Sequence, residues 1–363
     1  MDERVTRLAE IVADWSLEAK KGDVVLIDAY TAARPLADEL YSICRNRGAK
    51  VLLEVVSEEA EDHLLSIGNQ QRIRARFKKK TELASQANKA VLIESSEHPE
   101  ARYNIPNETL AFAERMEEEF YEILERPGRR MVIVHFPTQG YAMEAGMSPA
   151  DYEKAFYDMA LLDWREESRK IKEIAALFRG VVALQVQGID TDLVLKLNGN
   201  PSIEDGKETP INMPAGEVYF GNMKGASATG VIYFDVPVSY GKLFKNARLE
   251  FRDGIVKSVK TTSPRTHDNY LQMLLLPPDD DPAFLEEIGF GTNRSASTQI
   301  YRWAEKAYGT VHVGVDNARG TNIDFVRTMK NGRVVGYERG GSKRTILEDG
   351  RFFAPKELPG NES

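Results

Sequence analysis

The first half of the chain alternates between amphipathic stretches and short apolar runs. Over residues 2–20 the apolar side chains recur every three or four positions, which predicts a helix. Apolar runs of strand length follow at residues 24–27, 51–56, 90–93 and 131–135. Helical patterns separate these runs, and strands that alternate with helices predict βαβ units. We therefore expect this half to form a parallel sheet covered by helices.

The pattern changes after Arg179-Gly180, where short β segments and tight turns replace the alternation. The segments with the composition of strands are residues 181–186, 192–197, 230–238, 247–251, 255–259, 310–315 and 333–337. Asp253-Gly254 and Asn331-Gly332 are typical of hairpin turns. A helical pattern occurs here only at Asp281–Glu287 and Ser297–Lys306. This half is therefore predicted to be mostly antiparallel β.

These patterns predict an α/β fold of two domains, and a length of 363 residues suits two domains. Residues 1–179 are expected to form an N-terminal α/β domain with a mainly parallel sheet. Residues 180–363 are expected to form a mostly antiparallel β (α+β) domain that carries any chemistry. Hydrophobic residues make up 42% of the chain, which is enough for a sizeable core.

Charge and composition exclude several classes of function. The net charge of −8 argues against a general nucleic-acid-binding protein, because phosphate contacts need clustered Lys and Arg. No apolar run approaches the ~18 residues of a membrane span, and the first residues lack an apolar signal core, so we expect a cytoplasmic protein without membrane partners. Cys44 is the single cysteine, which excludes an internal disulfide, and its apolar helical surroundings predict a buried thiol.

The chain has five histidines, which limits where a metal ion can bind. Three of them are expected to be surface or structural residues. His267 lies in a polar segment that is predicted to be a turn. His312 lies in an apolar run that is predicted to be a strand. Spacing alone favours a structural role for a histidine in such a place.

Three further segments contain polar residues in unusual settings. In the first, a turn with proline and glycine leads into a strand and presents Glu217. In the second, a helix end that carries Glu287 runs into a glycine-rich turn, where glycine allows close backbone approach. In the third, Asn322 and Asp324 lie on the same face of a strand. The spacing of these residues in the sequence does not by itself indicate that they form one site with His312.

Three motifs follow one another in the chain: Asn212-Met-Pro-Ala-Gly-Glu217-Val, Glu287-Ile-Gly-Phe-Gly-Thr-Asn293 and Gly309-Thr-Val-His312. In these motifs the chain resembles the metallo-aminopeptidases of the aminopeptidase T type. The resemblance implies a homodimeric hydrolase with two metal ions in its second domain and a small peptide or other small molecule as substrate. It also implies that Glu217, Glu287 and His312 occupy ligand positions for a divalent metal such as zinc, cobalt or manganese.

The chain departs from this family pattern after His312. The position of the family's tyrosine, seven residues on, holds Arg319. The family's final His-x-Asp pair reads Asn322-Ile-Asp324, so Asp324 is retained as a ligand position and an amide replaces the second imidazole. The four remaining ligand positions are enough for one divalent ion and marginal for two.

Three functions remain open on the sequence. The first is a metal-dependent peptidase that removes N-terminal residues with a degenerate or single-metal site. The second is a mononuclear non-haem iron enzyme like the ring-cleaving dioxygenases, in which His267, His312 and Asp324 form a triad of two histidines and one carboxylate. The third is a non-catalytic relative that binds a peptide or small molecule, in which Arg319 pairs with a carboxylate.

Overall fold

The computed structural model describes residues 2–207, 211–277, 282–316 and 322–353, so Arg319 lies outside the described residues. The helices in these ranges are α1 (Glu3–Ile11), α2 (Arg34–Asn46), α3 (Glu58–Ile67), α4 (Gln70–Gln86), α5 (Asn107–Leu124), α6 (Gln139–Glu144), α7 (Pro149–Ala160), α8 (Trp164–Ala176) and α9 (Arg265–Leu275). A π-helical turn at Val12–Ser16 continues α1. Short 3₁₀ segments occur at Thr31–Ala33, Pro99–Asn104 and Tyr301–Lys306.

The strands fall into a parallel sheet, a large antiparallel sheet and a two-stranded ribbon. In chain order they are β1 (Val24–Tyr30), β2 (Lys50–Val56), β3 (Lys89–Glu94), β4 (Arg130–His135), β5 (Val181–Gly188), β6 (Thr191–Lys196), β7 (Ser202–Glu204), β8 (Ile211–Met213), β9 (Glu217–Phe220), β10 (Ala228–Phe234), β11 (Val238–Tyr240), β12 (Lys242–Phe244), β13 (Ala247–Arg252), β14 (Ile255–Lys260), β15 (Phe284–Gly291), β16 (Thr310–Asp316), β17 (Asn322–Thr328), β18 (Arg333–Glu338), β19 (Lys343–Glu348) and β20 (Arg351–Phe352).

The parallel sheet has the order β2-β1-β3-β4-β8, and each neighbouring pair is parallel. The four apolar runs predicted in the first half form its first four strands, so the predicted parallel sheet is confirmed. Its fifth strand, β8, comes from beyond residue 179 and pairs with β4. The division of the chain at residue 179 stays a prediction, because this sheet draws on both sides of it.

Local sequence explains where several of the helices begin and end. Ser57 and Asn69 accept hydrogen bonds from the backbone N–H groups of Ala60 and Arg72 and so cap the first turns of α3 and α4. Gly68 ends α3 in the left-handed conformation that favours glycine. Leu65 of α3 and Ile73 and Phe77 of α4 are buried in the core of the large antiparallel sheet. Cys44 of α2 is fully buried in the core of the parallel sheet, as predicted.

The large sheet has the order β17-β16-β15-β14-β13-β10-β6-β5-β18-β19-β20, with β9 paired to β15 and β7 paired to β9. Its pairs are antiparallel, which confirms the predicted β texture of the second half. Phenylalanines, valines and leucines from its strands form one core with side chains of α3, α4, α5 and α8. None of the described helices is both long and apolar enough to span a bilayer.

Some local predictions in this half were wrong. Asp281–Glu287 was predicted to be helical. Asp281 lies outside the described residues, and Phe284 begins strand β15. The segment around His267 was predicted to be a turn, but it forms the first turns of α9, after Pro264. Proline is common at helix starts, and buried apolar residues farther along α9 hold the helix on the sheet.

Candidate metal centre

One face of the large sheet carries the predicted ligands. Glu217 begins β9, Glu287 lies in β15, His312 in β16 and Asp324 in β17. These four strands are neighbours in the order β9-β15-β16-β17. Side chains of directly paired residues share a face, and residues two or four apart in one strand do so as well. The pairing therefore projects all four side chains from the same face.

Glycines make room for these side chains. A Cβ at Gly289 would overlap the His312 imidazole, which lies opposite it on β16. Gly314 is paired with both Glu287 and Asp324, and a Cβ there would lie 2.9 Å from Glu287 Cβ and 3.0 Å from Asp324 Oδ1. The glycine-rich segment after Glu287 was predicted to be a turn and is a strand. The absence of a side chain at Gly289 leaves room for the His312 ring.

A bulge in β15 determines which of two adjacent glutamates faces the site. The pairing of β15 with β16 shifts register between Leu285 and Glu287. A bulge of this kind adds a residue to one strand and re-aims its side chains. Glu287 points towards His312, whereas Glu286 Oε1 accepts a hydrogen bond from the Asn222 backbone N–H at 2.8 Å. Glu287 is therefore the glutamate of the site.

Three potential ligand atoms converge. His312 Nε2 lies 3.0 Å from Glu287 Oε1 and 3.3 Å from Glu217 Oε2. One ligand atom from each of the three side chains lies within 4.8 Å of the others. His312 is 1% exposed and Glu217 is 6% exposed, whereas the Glu287 side chain is 20% exposed. The cluster is therefore enclosed around His312 and reaches solvent at Glu287.

A buried lysine that the sequence did not single out also enters this site. Lys306 ends a 3₁₀ segment, and its Nζ lies 2.8 Å from Glu217 Oε1 and also contacts Glu204 Oε2. Glu204 is paired with Glu217 across β7 and β9. No periodicity in the sequence marks Lys306 or Glu204, because their proximity arises only when β7, β9 and the 3₁₀ segment pack together.

The charges in this cluster shift the ionisation of their neighbours. Burial alone raises the pKa of Glu217, but the Lys306 ammonium, the hydrogen bond with Glu204 and the charge of His312 together outweigh burial and hold that pKa at about 2. Burial raises the pKa of Glu287 to about 7. Burial alone lowers the pKa of His312, but Glu217 and Glu287 raise it to about 9. In the absence of a cation, His312 is therefore an imidazolium that two carboxylates share near neutral pH.

Comparison with known proteins shows which family the chain belongs to. Residues 1–304 match the family model of the thermophilic metalloprotease (M29) family. The chain belongs to this family. The match includes Glu217 and Glu287 and ends before His312. Comparison with curated proteins gives no match.

The fold is also that of a solved structure. It is similar to the wild-type AmpT from Thermus thermophilus with a TM-score of 0.75, and the similarity covers 97% of this chain and 99% of that chain. The two sequences are 18% identical, so this likeness shows the fold alone. The likeness in fold therefore extends beyond residue 304, where the M29 match ends.

The residues of the cluster fit the divalent metal that an M29 metalloprotease implies. An imidazole nitrogen and carboxylate oxygens are ligands that zinc and similar ions accept. Glu217 Oε2 is buried and makes no hydrogen bond, and it faces the same small space as His312 Nε2 and Glu287 Oε1. A cation in that space would satisfy all three atoms and replace the proton of His312.

The other predicted site residues are not among the three converging groups. Asp324 is half-buried beside it, where burial raises its pKa, but its carboxylate is not one of the three converging groups. Asn322 is exposed at the start of β17. His267 is elsewhere: its Nδ1 lies 2.8 Å from the Leu243 carbonyl oxygen and its ring packs against Tyr103. The described residues therefore do not assemble the triad of two histidines and one carboxylate.

Proposed function

We propose that the protein is a metal-dependent aminopeptidase that removes the N-terminal residue of short peptides with one divalent cation bound by Glu217, Glu287 and His312. The convergence of one atom from each of these side chains carries the proposal. Membership of the M29 family supports the peptidase class. The departures from the family motif at Asn322 and Arg319 support one ion rather than two. In the family these two positions hold a histidine and a tyrosine, and without them fewer side chains are left to bind a second metal ion.

The chain's own residues suit the chemistry of a hydrolytic centre. A divalent cation, when bound, supplies a Lewis acid that polarises a carbonyl group and lowers the pKa of a coordinated water. Glu217 and His312 hold the buried side of the site and exclude bulk water there. The partly exposed Glu287 lies on the side from which a peptide can enter. Asp324, next to His312 and Glu287, is placed to complete the shell from β17.

The number of carboxyl groups around the site supports recognition of a free amino terminus. Glu305 Oε1 lies 3.9 Å from Lys306 Nζ and adds another carboxyl group to those of Glu217, Glu287 and Asp324. Carboxyl groups therefore outnumber basic groups here. Carboxylates bind a divalent cation and the N-terminal ammonium of a peptide alike, and this favours an exopeptidase that works from the amino end.

The finer properties of this enzyme are also part of the proposal. We propose zinc, cobalt or manganese as the metal, because a site with one imidazole and two carboxylates suits these ions. The family resemblance supports a homodimer, which light scattering of the purified protein can test. We also propose a cytoplasmic location, as the sequence predicted. The iron-enzyme alternative is not supported, because His267 lies apart from His312.

Metal removal and restoration test the proposal. The protein is stripped with a chelator, reloaded with zinc, cobalt or manganese, and assayed on an aminoacyl nitroanilide and its N-acetylated form. We expect activity on the free amine alone, restored by one ion per chain. His312→Ala is expected to lower metal affinity and activity by at least about 10–100-fold, whereas the exposed His98→Ala is the matched control.

Two results would contradict this function in different ways. Equal hydrolysis of the acetylated substrate would exclude an aminopeptidase and leave another metal-dependent hydrolase. A protein that neither retains added metal nor hydrolyses the free amine would leave the non-catalytic binding protein.

A further inference from the structure

Lys306 is an ammonium group enclosed by carboxylates next to the metal ligands. The residue is 2% exposed. Its Nζ lies 2.8 Å from Glu217 Oε1 and 3.9 Å from Glu305 Oε1, and it also contacts Glu204 Oε2. A lysine this deeply buried needs paired carboxylates, and here they are the side chains that flank the proposed cation site.

The lysine separates two carboxylates that the sheet places side by side. Glu204 and Glu217 are direct partners across β7 and β9, and like charges in such positions repel each other. Asn212 fixes Glu204, because its backbone N–H donates to Glu204 Oε1 at 3.0 Å and its side-chain amide to Oε2 at 3.2 Å. Among the residues that the structure describes, Glu217 contacts Lys306, His312 and Glu204 itself.

The two oxygens of Glu217 consequently have different roles. Oε1 accepts a hydrogen bond from the Lys306 ammonium. Oε2 is buried, has no hydrogen-bond partner and lies 3.3 Å from His312 Nε2. The carboxylate is thus held at one end by Lys306, while its other end faces the point where the ligand atoms converge.

We propose that Lys306 is a positioning residue that holds Glu217 by Oε1, so that Oε2 alone binds the metal. This inference rests on the proposed metal function. A partner that orients a ligand strengthens metal binding, as groups hydrogen-bonded to metal ligands do in other sites. A lysine that acted only through its charge would repel the cation and would also keep Glu217 ionised. Variants that lack this charge and differ only in a hydrogen-bond donor to Glu217 therefore separate positioning from charge.

Lys306→Met removes the ammonium and keeps an unbranched side chain. Cobalt(II) affinity is measured by calorimetry for the wild type and the variant, and thermal unfolding verifies that each is folded. We expect the variant to bind cobalt about 10–100-fold more weakly, because Glu217 is free to turn towards Glu204 and share a proton with it. Lys242→Met is the matched control, since Lys242 is also buried but contacts the Tyr103 carbonyl instead.

A pair of double variants keeps the test valid if Lys306→Met does not fold. Lys306→Met/Glu204→Gln and Lys306→Met/Glu204→Leu both lack the buried charges at positions 306 and 204. Only the glutamine side chain of the first double variant can donate a hydrogen bond to Glu217 Oε1. We expect the glutamine variant to bind cobalt at least tenfold more tightly than the leucine variant, roughly the lower end of the effect of such partners.

The outcomes separate this inference from the proposed function. Equal or tighter cobalt binding by Lys306→Met, or equal affinities of the two double variants, would overturn the positioning role and leave the metal site in place. Weaker binding by Lys306→Met with rescue by glutamine at position 204 would support it. A wild-type protein that binds no cobalt would remove the proposed function and this inference together.

Discussion

At the scale of single residues, His312 presents one nitrogen to two carboxylates. A proton and a metal ion therefore compete for Nε2. The carboxylates of Glu217 and Glu287 raise the pKa of His312 to about 9, so the histidine carries this proton at neutral pH when no metal is bound. Metal binding must release it.

This competition predicts that metal affinity rises with pH. Below the pKa of His312 the proton opposes the cation, and below the pKa of Glu287, about 7, a second proton does so. Affinity should therefore increase from about pH 6 to about pH 9, with proton release on binding. Calorimetry in buffers of different ionisation enthalpy measures both quantities. Affinity that is flat across this range would show that His312 Nε2 is not a ligand.

Gly289 is required for the position of the His312 ring. Gly289→Ala would place a Cβ against the imidazole, so we expect a folded protein with strongly reduced zinc binding. Gly221→Ala is the matched control, because a Cβ there would make only ordinary contacts, the closest at 3.5 Å to Tyr219. Zinc content after gel filtration measures the effect. Equal zinc in both variants would contradict the proposed ring position.

Asn322 stands where the family motif is expected to have a histidine. It lies two residues before Asp324 on β17, so both side chains face the site side of the strand. Asn322→His should raise metal affinity or allow a second ion, because imidazole is a better ligand than an amide. Metal analysis gives the number of ions per chain. An unchanged number and affinity would place Asn322 too far from the cation.

Spacing could not identify most of these roles. A strand histidine is usually structural, and only motif order suggested that His312 joins Glu217 and Glu287. Lys306 escaped prediction because its function depends on Glu204, a residue far away in the sequence that β-pairing brings next to Glu217. Interactions of this kind arise from the packing of separate elements and leave no local pattern.

At the scale of elements, the bulge in β15 gives this strand a sequence pattern that does not alternate as a regular strand does. Leu285 and Ile288 are buried three positions apart, with Glu286 and Glu287 between them. That spacing is typical of a helix, and residues 281–287 were predicted to be helical. The bulge produces it by adding a residue to the strand, so the local departure from alternation is the same feature that aims Glu287 at the site.

The contact between α5 and α9 offers a test of element packing. Tyr270 donates a hydrogen bond to Glu114 Oε1 at 2.8 Å, and burial raises the pKa of Glu114 to about 7. A carboxyl whose pKa is raised on folding makes the folded state lose stability as pH rises from its unfolded pKa to its folded one. Glu114 therefore destabilises the protein above pH 7 relative to acidic pH.

Glu114→Gln should remove this loss of folding stability at high pH. Glutamine cannot ionise and still accepts the Tyr270 hydrogen bond. The variant is expected to be more stable than wild type at about pH 8 and about equal to it near pH 4.5, as urea unfolding can measure. Glu118→Gln, an exposed substitution on the same helix, is the control. A stability difference that does not change with pH would contradict the buried carboxyl.

At the scale of the whole molecule, the two sheets meet at Glu217. Strand β8 adds to the parallel sheet beside β4, and the chain then passes through Pro214 to Gly216 into β9. Glu217 thus lies just beyond the carboxyl end of a parallel strand, where ligands bind in sheets of this type. The sequence predicted both sheets, but the short strand β8 could not be recognised among turn residues.

The ligands themselves come from widely separated parts of the chain. The M29 match covers Glu217 and Glu287, and His312 and Asp324 follow it in a region where the chain departs from the family motif. The likeness to AmpT nevertheless extends over 97% of the chain. The fold therefore extends beyond the M29 match, and the reduction of the centre to one ion stays our proposal.

The central claim is that Glu217, Glu287 and His312 bind one divalent cation. An anomalous-difference map from crystals of the zinc-loaded protein, recorded at the zinc absorption edge, tests it most directly. We predict a single peak in the cluster, about 2.0–2.2 Å from Glu217 Oε2, Glu287 Oε1 and His312 Nε2. A map with no peak there, or with two peaks of equal height, would contradict it.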